Sequence, residues 1–515
     1  MSVLRYFARN SLVRLLAFGI SVVATFVITP HMLRCLGKVN YGAWAFVSSL
    51  SIYYLMLDFG MLQALIKYMS GLHEKGSREE RNILFTNACC INILACLLVL
   101  VGGAIVSLFI GEMTQHEVSA RLLLLCLGLF TASMAFQLLC RTFYGLLVAQ
   151  MRWTLLAVLY MLKTLAVSAA IFYTTSATAA ADDNLVSVAV IVSAGNVLES
   201  LSTLFFSLRS ENLRFALSFL RLAEVKKLLR FGFPVLIVSL GDFLRSNVQI
   251  FIVSALLGLA QTAIFSLARQ FINYTNSIMQ NVFGILNPYF SRLEARKDDE
   301  GIRHSLLQAL KLSYGTSTYL GLCLAFYSNL FLTRWLGPQF SEVHGVLLPM
   351  ALSSILALGQ YPANGYLYGV GRHSIIAVLG IGEGVFNVIT CVPAMLLYGL
   401  PGIGWALLAG TILTRFILLP TRVCSVSGIS PGRYYLVITS AIMPQILGQG
   451  LFFWVLQPFL QPEYPYLIAA CAGQALITAG VFCATQWCSS KLPQWPGVFR
   501  KKSTSPKPHD LEIHQ

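Results

Sequence analysis

Leu36-Gly37-Lys38-Val39-Asn40-Tyr41-Gly42-Ala43-Trp44 returns 221 residues later as Leu257-Gly258-Leu259-Ala260-Gln261-Thr262-Ala263-Ile264-Phe265. At the same offset Ser70-Gly71-Leu72 meets Ser291-Arg292-Leu293. A repeat inside a chain that is hydrophobic nearly from end to end is the ground plan of an alternating-access transporter, in which two bundles rock about a site held between them.

Hydrophobic residues make up 57% of the 515 and charged residues 11%, against the roughly 25% charged of an average soluble domain. A span needs ~20 apolar residues to cross ~30 Å of hydrocarbon. The hydropathy predicts an all-α polytopic membrane protein of about fourteen spans, near 11-33, 41-66, 83-110, 121-143, 153-174, 185-208, 231-257, 262-289, 305-333, 343-370, 375-399, 401-421, 435-458 and 467-488. Twelve or thirteen spans stay open around Pro401. The repeat divides them into two pseudo-symmetric six-helix lobes, 1-208 and 231-421, with two appended helices in 435-488. Arg209 to Arg230 reads as an amphipathic helix that forms a cytoplasmic linker, with Leu213, Leu217, Leu220, Val225 and Leu228 among basic residues. The polar, basic segment 489-515 reads as a disordered cytoplasmic tail in reach of anionic headgroups.

Lys and Arg are retained on the cytoplasmic side. With both termini inside, the cytoplasmic segments hold nearly all of them outside the spans, while the opposite loops carry only Arg34, Lys38, Arg121 and Arg334. The net charge of +15 is thereby explained as a topology signal, which excludes nucleic-acid binding as its cause. The twelve cysteines show no metal-ligand spacing and read as packing residues. No cleavage site follows the first apolar stretch, so the first helix is expected to stay.

Thr29-Pro30, Leu36-Gly37, Tyr41-Gly42, Trp44 and Leu57-Asp58-Phe59-Gly60-Met61 resemble the start of the polysaccharide-biosynthesis flippases of the multidrug/oligosaccharidyl-lipid/polysaccharide exporter superfamily. Arg334-Trp335-Leu336-Gly337-Pro338-Gln339-Phe340 and Tyr398-Gly399-Leu400-Pro401-Gly402-Ile403-Gly404-Trp405-Ala406 look like two later landmarks of that family. The resemblance implies a bacterial inner-membrane protein with two lobes around a central cavity. It implies transport of a polyprenyl-pyrophosphate-linked oligosaccharide from the inner to the outer leaflet, and a monomer. Membrane lipids are the other expected partner, with further polysaccharide-assembly proteins left open. No cofactor is expected, and coupling to a proton or sodium is left open.

Ionisable groups inside spans cost ~2.5–3.5 kcal/mol each on insertion scales, so those present face a partner or a wet cavity. The candidate substrate-binding residues are Arg14, Lys163, Arg245, Arg269, Lys311 and Arg415. Asp58, Glu199, Asp242 and Glu383 are candidates for coupling or for a structural charge. With Arg141, which is placed to snorkel, the basic groups outnumber the acidic, and a positive interior suits a pyrophosphate better than a lipophilic cation. The bland readings stand beside these. Asp242 and Arg245, spaced i, i+3, neutralise each other; Arg14 and Lys311 snorkel; Asp58 caps or pairs; Glu199 and Glu383 bond between helices. Lys163 has no opposite charge within four residues and needs another helix, a wet cavity or deprotonation.

Asn196, Asn247, Gln249, Gln270, Asn273, Asn276, Gln280 and Asn281 put many amides in the sixth to eighth spans, to bond sugar hydroxyls or to lock helices. Gly232-Pro234, Pro288, Pro349 and Pro362 are candidate hinges. A drug or organic-cation exporter of the same superfamily is the alternative. A membrane enzyme of polysaccharide assembly is disfavoured because no outside loop exceeds about a dozen residues and no catalytic domain is present.

Overall fold

The computed structural model describes residues 3–75, 77–176, 179–210 and 213–491, and among these no residue is in a strand. The first lobe contains α1 (Val3–Met56), α2 (Met61–Lys75), α3 (Arg78–Met113), α4 (Ala120–Leu139), α5 (Arg141–Ala149), α6 (Trp153–Thr174) and α7 (Ala181–Ser210). The second contains α8 (Leu222–Ser246), α9 (Gln249–Phe283), α10 (Leu286–Ala295), α11 (Asp299–Trp335), α12 (Glu342–Gly359), α13 (Tyr361–Gly369), α14 (His373–Tyr398), α15 (Leu400–Thr411) and α16 (Leu419–Ser427). Last come α17 (Pro431–Leu456) and α18 (Tyr464–Lys491). The expected tail lies outside the described residues from 492 onward.

Among the described residues, eleven helical segments are long and apolar enough to cross a membrane. Two of them, Leu16–Ser51 and Leu222–Ala295, each hold two crossings, because α1 breaks at Gly37 (φ 72°, ψ 174°) and α9 at Gly258 (φ 83°, ψ 179°). With α11, which is 37 residues long and more polar, the fourteen expected crossings are all present. The repeated Leu-Gly pair is thus where each lobe reverses direction, at a backbone angle that favours glycine. Asn247 and Arg269, equally distant from Gly258 on its two sides, hydrogen bond to each other, so the arms of α9 run back alongside one another. In α1, Trp335 Nε1 donates to Phe26 O at 2.8 Å on the arm before Gly37. On the arm after it, Tyr54 shares a 2.8 Å hydrogen bond with Thr131 in α4.

The two hairpins pack on each other about the pseudo-axis. Phe26 meets Phe271, with ring centroids 6.1 Å apart, and Phe46 meets Phe251 at 5.4 Å. Between them a Cβ on Gly42 would lie 1.8 Å from the Leu259 carbonyl oxygen. Lipid tails are as apolar as leucine, so helices in a bilayer gain by close packing rather than by leaving water, and small residues mark such seams. Ala43 and Ala263, both fully buried, flank this one. The main buried cluster therefore runs through both lobes, from Leu36 and Phe46 to Leu259, Phe265 and Val346.

Two of the four candidate hinge prolines fall where a new helical segment begins. Pro362 sits at the first turn of α13 and Pro288 in the first turn of α10, each just past a break, while Pro234 and Pro349 lie inside α8 and α12. A proline at a helix start removes an N–H that had no partner there, so these breaks are tolerated. The segment from Arg209 to Arg230 is not one amphipathic helix. α7 ends at Ser210, a 3₁₀ turn covers Leu217–Phe219 and α8 begins at Leu222. Asn82 and Asn87 on α3 explain the extended part: Arg214 N donates to Asn82 Oδ1 at 2.9 Å, Arg221 N to Asn87 Oδ1 at 3.0 Å, and Asn87 Nδ2 donates to Phe219 O at 3.0 Å. These amides satisfy backbone groups that a helix would otherwise have paired internally.

The appended helices are joined by a buried amide chain. Gln474 Nε2 donates to Gln449 Oε1 at 2.5 Å, and Gln449 Nε2 to Gln445 Oε1 at 2.7 Å and Thr478 Oγ1 at 3.1 Å.

Candidate functional site

Helix α8 brings Asp242 and Arg245 inward on one face, and Arg245 Nη2 lies 3.0 Å from Asp242 Oδ1. α14 reaches α8 closely because residue 384 is glycine: a Cβ there would lie 2.5 Å from Leu244 Cβ and 3.0 Å from Arg245 N. That approach sets Glu383 beside the cavity wall. Opposite it, α15 loosens into a π-helical stretch, Ile412–Leu418, that carries Arg415. A π turn is a local departure from the α ladder often found at functional positions. Arg415 Nε donates to Glu383 Oε2 at 2.7 Å, with both side chains almost fully buried.

Asp242, Arg245 and Arg415 border a cavity of about 720 Å³ walled entirely by the second lobe. Arg245, Asp242 and Arg415 share it with Asn276, Gln280, Asn281, Asn287 and Asn364 and with Tyr361 and Tyr368. Tyr361 OH donates to Asn276 Oδ1 at 2.7 Å. A smaller recess of about 150 Å³ continues it past Arg245 and Asn276, lined by Arg269, Gln249, Glu383 and Asn387 among others. Arg245 Nε, Asn364 Oδ1, Gln249 Oε1 and Asn387 Oδ1 are buried here without a hydrogen-bond partner in the protein. Buried polar atoms of this kind are rare, and several around one hollow point to a polar ligand.

Arg245, Arg269 and Arg415 face two carboxylates, Asp242 and Glu383, which leaves one positive charge in excess. Asp242 and Glu383 each pair with an arginine. Arg269 instead donates to the Asn247 amide, and no ion pair involves it among the described residues. Its guanidinium is therefore the cation of this wall left for an anion to neutralise.

The remaining sequence candidates lie elsewhere. Lys163 on α6 pairs with Glu199 on α7 at 2.8 Å, beside an apolar groove of about 460 Å³ on the first lobe. Of its three sequence alternatives, the structure supplies a partner from another helix. Asp58 pairs with Arg141 at 2.6 Å and accepts from Gly60 N at 2.8 Å, so Arg141 is held by a carboxylate across helices. Lys311 lies on α11 and is not among the residues lining either cavity. Arg14 is on α1, and its side chain falls outside the described residues. The cations drawn from both halves are thus not gathered into one site: three from the second lobe converge, and Lys163 does not join them. Asn287, Asn364, Asn387, Tyr361 and Tyr368 were not singled out from the sequence. The Tyr361-Pro362-Ala363-Asn364 run, at the break after α12, was the available signal.

The fold has solved counterparts. The lipid II flippase MurJ in an inward closed conformation aligns with a TM-score of 0.72 at 14% identity, covering 93% of this chain and 98% of that one. An inward-facing multidrug resistance MATE family transporter of the MOP superfamily aligns with a TM-score of 0.66 at 14% identity, covering 82% and 99%. Such identities establish a shared all-α architecture. In sequence, the uncharacterized membrane protein EpsK of Bacillus subtilis (strain 168) is 22% identical over 485 residues, 93% of this chain and 94% of the relative. The family described as "Polysaccharide biosynthesis protein" matches residues 7–294. With more than half of its length matched, the chain belongs to the polysaccharide biosynthesis protein family.

Proposed function

We propose that the protein is an alternating-access flippase that moves a polyprenyl-pyrophosphate-linked oligosaccharide from the inner to the outer leaflet for envelope polysaccharide synthesis. The observation that carries the reading is the second-lobe cavity, whose wall combines amides and tyrosine hydroxyls with an arginine surplus around Arg269. Amides and hydroxyls exchange hydrogen bonds with sugar hydroxyls, and guanidinium forks match phosphate oxygens. The polyprenyl tail stays in lipid, and only the head group enters. A cation exporter would want an exposed acidic floor; here Asp242 and Glu383 are each bound to an arginine.

In this reading the lysine- and arginine-rich end of the bundle and both termini face the cytoplasm of a bacterial inner membrane, and the chain works as a monomer without catalysing bond cleavage. Outward movement of each uncompensated negative charge across an inside-negative potential is favourable by ~2.3 kcal/mol per 100 mV. Energetics thus make proton or sodium coupling optional.

The test is the leaflet distribution of polyprenyl-linked oligosaccharide in the native host. Build-up on the cytoplasmic face on depletion, reproduced by Arg269→Ala, supports the reading. An unchanged distribution in a host lacking any redundant transporter sinks it.

A further inference from the structure

The end of the bundle that carries Gly37 and Gly258 holds few basic residues, as expected of an outer face. Yet three of the four placed there by the charge pattern line one pocket. Arg34 and Lys38 come from the apex of α1, Arg334 from the end of α11, and together with Trp335, Gln339 and Phe340 they border about 400 Å³. Lys38 is held in place: its Nζ donates to Gln339 O at 2.8 Å and lies 5.1 Å from the Phe340 ring centroid. Arg334 stacks over Tyr464, with Cζ 5.7 Å from the ring centroid. No carboxylate pairs with any of the three among the described residues, although the exposed Glu342 and Glu463 are close in sequence to the pocket's rim. The pocket is also composite, with one wall from each lobe, and the Trp335 indole already ties those walls through Phe26 O.

We infer that this pocket is a second anion site, which takes a phosphate or phosphodiester group at headgroup level and ties the two lobes together at that end. Two guanidinium forks and one fixed ammonium around a single hollow match a tetrahedral oxyanion better than a planar carboxylate. Because the cations come from both lobes, an anion between them favours the conformation in which this end is closed, and it must leave before the end opens. The phosphate has two candidate sources: the pyrophosphate of a head group arriving at this face, or the phosphodiester of an anionic bilayer lipid. The inference does not depend on the flippase reading, since a binding measurement contains no transport step.

The experiment uses the purified full chain in an Arg269→Gln background, which removes the unpaired cation of the second-lobe cavity. The thermal unfolding midpoint is followed with inorganic pyrophosphate at constant ionic strength, and separately in phosphatidylcholine nanodiscs with and without phosphatidylglycerol. Binding to the folded state raises the midpoint. We expect half-saturation to weaken about tenfold in Arg34→Gln and in Arg334→Gln, the scale of one lost charge-assisted hydrogen bond, and to hold in Arg121→Gln, which changes the fourth basic residue of that face. A response to pyrophosphate alone assigns the head-group source, and one to phosphatidylglycerol assigns the bilayer source; either supports the site. Absence of both responses, or a response that survives the Arg34→Gln/Arg334→Gln double variant, overturns it. Each variant's midpoint without ligand checks that it folds.

Discussion

Arg415 Nε lies 2.7 Å from Glu383 Oε2 on the last two spans of the second lobe, and the matching spans of the first lobe hold the same kind of pair with its signs exchanged, Lys163 Nζ 2.8 Å from Glu199 Oε2. The two pairs differ in burial. Arg415 and Glu383 side chains are 5% and 3% exposed, Lys163 and Glu199 20% and 16%. Removing one partner of a buried pair strands the other charge and costs ~3–5 kcal/mol. Glu383→Gln should therefore lower the unfolding midpoint in detergent markedly. Glu199→Gln should lower it less, because the Lys163–Glu199 pair is only partly buried.

Arg269 should report on transport rather than on stability. Its partner is the Asn247 amide, so Arg269→Gln strands no carboxylate and relieves the desolvation of a membrane-embedded cation. Midpoints at or above wild type are expected, together with a ten- to hundredfold slower head-group translocation in a reconstituted leaflet assay, the scale of one or two charge-assisted hydrogen bonds. Lys163→Gln, on the first lobe, should leave that rate near wild type. The opposite pattern would move the site to the first lobe.

Glycine is required at two neighbouring positions for different reasons, and alanine separates them. At Gly42 the new Cβ would meet the Leu259 carbonyl at 1.8 Å, backbone against backbone, so Gly42→Ala must part the hairpins and should cost ~3 kcal/mol or more. At Gly37 nothing lies within 4 Å of the added Cβ, but φ is +72° with ψ at 174°, a region that essentially only glycine enters, so Gly37→Ala should cost only the backbone strain of ~1–3 kcal/mol. Gly71→Ala, with open space around it, serves as the neutral control. Unfolding midpoints of the three variants should rank in that order.

The amide chain Gln445–Gln449–Gln474 is expected to set how firmly α17 and α18 are joined. Interhelical hydrogen bonds in membranes are worth ~0.6 kcal/mol on average and up to ~1.7. Gln474→Leu leaves Gln449 Oε1 without its donor, so it should destabilise by roughly 1–2 kcal/mol, while Gln449→Leu/Gln474→Leu together should recover part of that loss. A double-mutant cycle on the midpoint measures the coupling.

Hydropathy was sufficient for the helices, because fourteen stretches near span length carry their own signal, and the Leu-Gly repeat located both reversals. The cavity was less legible. Arg245 and Asp242 share a helix face by spacing alone, but Lys163 and Glu199 are 36 residues apart, and no periodicity tells which helix a buried charge will meet. Asn364 and Tyr361 escaped notice because the break at Gln360 turns them toward α9, and that turn depends on packing rather than on local sequence. The linker misled for a related reason: its leucine spacing suits a helix, but Asn82 and Asn87 of α3 take up its backbone groups first.

The contact of Gly42 with Leu259 also fixes a leverage. Both hairpin apices lie at one end of the molecule, so while that seal holds the lobes pivot there, and motion grows with distance from it. Across ~30 Å of bilayer, a tilt of about 20° displaces the far ends by roughly 10 Å, enough to admit or shut out a sugar-sized group. Opening the bundle at that end then requires parting two backbones in van der Waals contact, a step with no side chain to soften it.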